Sequence, residues 1–154
     1  PPPRREPRPS PALGKTPLDV GADRIARTAH AALQLLGELR KALGLSVPLA
    51  WSPTFLGAAC IEVYPAATLL AHGFRSTGYK KPEQASERRD IIRCVGGLID
   101  LDQHQSVLER SADVLDAAVC VLAAKDFLDG HAMRPTDMPV AEREGWIWSA
   151  GPET

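Results

Sequence analysis

The chain has 154 residues, of which 44% are hydrophobic and 24% charged, and its formal net charge is -1. This is the composition of one ordinary globular domain with enough chain for a real core. It excludes a strongly basic grip on nucleic acid by this chain alone, and the lack of any apolar run of ~18 residues excludes a membrane span.

The opening, Pro1 to Pro11, holds six prolines and four charged residues among few apolar ones. Such a stretch cannot bury enough surface to fold alone, so residues 1–13 read as a disordered Pro/Arg-rich arm or as a stretch foreign to the natural protein. The first residue is not Met, which marks a processed product or a fragment, and no signal peptide opens the chain. Residues 14–150 read as the folded α/β domain.

Gly14-Lys15-Thr16-Pro17 is a turn. The spacing of Ile25, Ala29, Ala32, Leu33, Leu36, Leu39 and Leu43 predicts a helix from Asp19 to Leu43, closed by Gly44 as the residue past its end. Ser46 to Leu56, with Pro48 and Pro53, reads as loop and edge strand. Ala58 to Val63 is a short strand, apolar on both faces, which places it centrally in a covered sheet. Ala66 to His72 is a short helix stopped by Gly73, and Arg75 to Lys81 is an exposed loop. Pro82 to Leu98 is a helix with Ile91, Ile92, Val95 and Leu98 on its apolar face. Asp100 to Arg110 is a polar connection. Ala112 to Leu128 is the most apolar helix, and Gly130 closes it. A loop with two prolines then leads to a terminal strand, Glu144 to Trp148. Helices alternating with short strands give α/β architecture.

Cys60, Cys94 and Cys120 stand singly in apolar segments. That is the usage of reduced, buried thiols in a cytoplasmic protein, and no Cys/His spacing suggests zinc.

Two segments carry the chemistry. Glu62 sits in the apolar strand, and Asp113 and Asp116 open the apolar helix. Charged groups are rarely buried without a partner, and a hard divalent cation would serve all three. Plainer roles exist. Asp113 could cap the helix, with Asp116 one turn inside it and favoured by the dipole, and Glu62 could end an edge strand in water. Lys80, Lys81, Arg88 and Arg89 could line a phosphate-binding rim, although a solvated face is the commoner arrangement for such charges. His72 and His104 have no acidic or histidine partner at helical spacing and read as surface residues. Of Trp146 and Trp148, one should pack in the core and the other cap a helix.

The order Glu-Val-Tyr-Pro-Ala, Gly-Tyr-Lys-Lys, Arg-Arg, Ser-Ala-Asp-x-x-Asp-Ala-Ala and Glu-Gly-Trp-Ile resembles the family called domain of unknown function four-twenty-nine, predicted nucleases of ribonuclease H-like fold. The resemblance runs from about Gly14 to Trp148. It implies a mixed five-stranded sheet flanked by helices, with Glu62 as the fourth-strand acid and Asp113 and Asp116 as the last-helix acids. It implies metal-dependent phosphodiester hydrolysis of nucleic acid with Mg2+ or Mn2+ held by Glu62, Asp113 and Asp116. The strands that would carry a first aspartate have no counterpart here, so the resemblance also implies a domain truncated at its N-terminus. A catalytically silent ribonuclease H-like binding or structural module is the alternative. The expected partners are nucleic acid, and either a second copy of the chain or a missing N-terminal half to cover the sheet.

Overall fold

The computed structural model of the chain describes residues 23–54 and 57–151. The expected arm, the turn at Gly14 and the first residues of the first predicted helix lie outside the described residues. The chain divides into two compact units.

The first unit holds α1 (Asp23–Leu43) and residues 44–51 and 57–60. Gly44 takes φ 65° and ends the helix, as a residue without Cβ can. Arg40, in the last turn, reaches forward and donates from Nε to Ser46 O at 2.6 Å and from a terminal nitrogen to Val47 O at 3.1 Å. A parallel bridge joins Leu49 to Cys60, with Ala50 N to Cys60 O at 2.8 Å and Cys60 N to Pro48 O at 2.9 Å. Strand geometry at Cys60 is therefore this single bridge.

The second unit carries the rest: β1 (Glu62–Val63), α2 (Pro65–Ala71), α3 (Ala85–Gly96), α4 (Gln105–Arg110), α5 (Ala112–Leu128), α6 (Met138–Glu144) and β2 (Ile147–Trp148). The two strands pair in parallel, Glu62 with Ile147 and Val63 with Trp148. The described residues are thus mixed α/β, with six helices and one small parallel sheet. The strand is shorter than the apolar run predicts, and Glu62 on it is exposed rather than covered.

Around α5 the logic is apolar burial. Leu115, Val119 and Leu122 lie one turn apart on one face and are fully buried against Leu69 of α2, Ile91 and Val95 of α3 and Leu108 of α4. Ser111 starts α5 by accepting a hydrogen bond from Val114 N at 3.3 Å, so the cap is Ser111 and Asp113 lies within the first turn. At the far end Phe127 meets Trp148 edge to face, with ring centroids 4.7 Å apart. Trp148 is the core tryptophan. Trp146 caps no helix; its indole N–H donates to Met133 O at 3.1 Å.

Three segments depart from expectation. The polar connection after Asp100 contains α4, and the proline-bearing loop contains α6, whose Asp137 accepts from Val140 N at 3.1 Å. α3 starts at Ala85, leaving Pro82 in the preceding turn. Cys94 is exposed, and Cys60 and Cys120 are half-buried, so the thiols are not the core residues their apolar neighbours suggested. No helix among the described residues is long and apolar enough to cross a membrane.

Candidate functional site

The loop between α2 and α3 delivers a tyrosine into the core. Gly78 turns the chain at φ 71°, and Tyr79 beside it is only 1% exposed. The predicted exposed loop is therefore anchored at its centre. Arg88 of α3 does the anchoring. Its side chain is buried, and its guanidinium donates to Tyr79 O at 2.8 Å, Lys81 O at 2.7 Å, Pro82 O at 3.2 Å and Glu109 O at 2.6 Å. A buried cation is tolerated because oriented carbonyl dipoles surround it.

With its backbone held, the loop presents two side chains to α5. The Tyr79 hydroxyl donates to Asp116 Oδ1 at 2.8 Å, and the Lys80 ammonium binds Asp116 Oδ2. The same ammonium lies 4.8 Å from the centre of the Tyr79 ring. Asp116 is half-buried, whereas Lys80 is largely in water. Burial pushes the Tyr79 phenol well above its ordinary range, and the hydrogen bond and negative charge of Asp116 push it further. Burial, and then the Asp116 carboxylate, raise the Cys120 thiol.

Glu62 lies on β1. It is exposed as a residue, but its carboxyl end lies against Gly145, and partial loss of water raises its pKa above the ordinary carboxylate value. Asp113 is exposed at the first turn of α5. Among the described residues, no group of three or more His, Cys, Asp or Glu side chains could hold a metal ion. Glu62, Asp113 and Asp116 therefore do not form the expected three-carboxylate cage, and that donor set does not by itself fit Mg2+ or Mn2+. The basic residues separate too. Lys80 pairs with Asp116, Lys81 is exposed, Arg88 points inward, and Arg89 reaches Glu109 at 3.4 Å.

One polar pair escaped sequence reasoning. Asp126, 4% exposed within the apolar face of α5, binds His72 at 2.8 Å from Oδ2 to Nε2, and His72 stacks on Phe74. His72 is thus a partly buried partner of an acid rather than a surface residue, while His104 is exposed as expected. The signal for Asp126 was present: an acid inside an apolar helix demands a partner. Nothing in the sequence named a histidine 54 residues away.

Comparison with known proteins adds one relationship. Nothing among curated proteins or solved structures matches the chain. A family model described as Protein of unknown function (DUF429) matches residues 11–140, most of the chain. The chain belongs to the DUF429 family.

Proposed function

We propose that this chain serves metal-dependent hydrolysis of nucleic-acid phosphodiesters on a ribonuclease H-like framework, with Asp116 as its central acid. One observation carries the reading. Asp116 is a half-buried carboxylate on the most apolar helix, fixed by the Tyr79 phenol and balanced by the exposed Lys80 ammonium. A surface ammonium is an exchangeable counter-ion, since exposed pairs of this kind are worth little. Bound Mg2+ or Mn2+ would supply an activated water and charge stabilisation. The three carboxylates form no cage among the described residues. The chain's own groups do the following. Tyr79 orients the Asp116 carboxylate, and Lys80 and Lys81 offer cationic contacts to a phosphate backbone.

The lack of a three-carboxylate metal group among the described residues favours a second reading, a catalytically silent ribonuclease H-like module that binds nucleic acid or a partner protein. One assay divides the two. Single-stranded, duplex and hybrid substrates are incubated with Mg2+ or Mn2+ and the wild-type or Asp116→Asn protein. Metal-dependent cutting that disappears in Asp116→Asn supports the hydrolase. Retained nucleic-acid binding without cutting of any substrate leaves the silent module.

A further inference from the structure

Gly145 closes α6 by donating its N–H to Ala141 O at 2.8 Å, and it takes φ 89° and ψ 163°. That backbone region is open in practice to glycine alone. Two residues later Ile147 pairs with Glu62, so strand register holds the two backbones side by side. A Cβ added at position 145 would stand 3.2 Å from Glu62 Oε2. That is too close for comfort, yet the atom it meets is the tip of a flexible side chain, which can swing away.

We propose that Gly145 is a positioning residue for Glu62: the missing Cβ is the space in which the Glu62 carboxylate lies. The sequence Glu-Gly-Trp at 144–146 then has a physical content beyond chain reversal. The glycine joins the end of α6 to β2 and also leaves the acid on the neighbouring strand its resting place. A side chain at 145 moves the carboxylate outward without moving β1. The importance of that placement for a reaction rests on the hydrolase reading above; the placement itself does not.

The test is a double-mutant cycle in thermal stability, joined to carbon NMR of the Glu62 carboxylate. Gly145→Ala lowers Tm by about 5 °C in the wild-type chain, from backbone strain and crowding together. In the Glu62→Ala background only strain remains, and the drop is smaller by about 2 °C. Where Gly145→Ala alone does not fold, folding of the double variant supports the inference and its failure to fold overturns it. Equal drops in both backgrounds also overturn it. Gly145→Ala shifts the Glu62 side-chain Cδ resonance, and Glu62→Asp, one methylene shorter, relieves part of the Tm loss in the Gly145→Ala chain; an unchanged Glu62 resonance overturns the inference. Coupling in Tm in a chain that cuts no substrate would keep the positioning of Glu62 and sink the hydrolase reading instead.

Discussion

Arg88→Ala should be the most damaging single truncation in the loop that serves Asp116. The guanidinium is 2% exposed and donates four hydrogen bonds, three of them to successive parts of the 79–82 segment and one to the end of α4. Even at the ~1–1.5 kcal/mol of an ordinary hydrogen bond net of water, four amount to about 4–6 kcal/mol. Water entering the vacated space recovers part of this, which leaves a loss of about 3–4 kcal/mol. At roughly 3–4 °C per kcal/mol for a chain of this size, Tm falls by about 10–15 °C. Arg88→Lys keeps the charge but replaces a planar fork by a point donor, and should cost about 2 kcal/mol. Urea denaturation followed by circular dichroism measures both. An Arg88→Ala protein within ~1 kcal/mol of wild type would refute the reasoning, because it would mean that the four carbonyls are satisfied without the guanidinium.

Two further outcomes follow from named contacts. Tyr79 holds its proton more tightly when folded than unfolded, so its contribution to stability is fully present below pH ~10 and declines as pH rises, by about 1.4 kcal/mol per pH unit; Tyr79→Phe should remove that alkaline slope, and an unchanged slope in urea titrations at successive pH values would count against it. His72→Ala leaves the Asp126 carboxylate buried without its ring partner and should cost about 2–3 kcal/mol, while His72→Ala with Asp126→Ala should cost less than the sum of the singles; additive losses in chemical denaturation would show that the pair is not coupled.

Some of this molecule was readable from residue order alone. Residue order places α5 from Ala112 to Leu128 because a seventeen-residue segment rich in apolar residues, begun after Ser111 and closed by Gly130, has few other conformations. α2 and the turn at Gly73 were readable for the same local reason. α4 and α6 were not. Gln105–Arg110 is six residues with Leu108 as its one buried side chain, and Met138–Glu144 carries a proline in its first turn, so neither has a periodic signal long enough to detect. Family membership was also legible, because it rests on the order of motifs rather than on contacts.

The site was half legible. Composition pointed to Glu62 and Asp116 as acids out of place in apolar segments, but it could not say what each one faces. Tertiary structure decided that. Tyr79 and Lys80 reach Asp116 across 37 and 36 residues, His72 reaches Asp126 across 54, and Arg88 faces the interior while its neighbour Arg89 faces water. Local sequence sets backbone propensity and the periodicity of apolar faces. The partner of a buried charge depends instead on which turn of one helix meets which loop, and that is settled only when burial of the whole apolar set selects one packing.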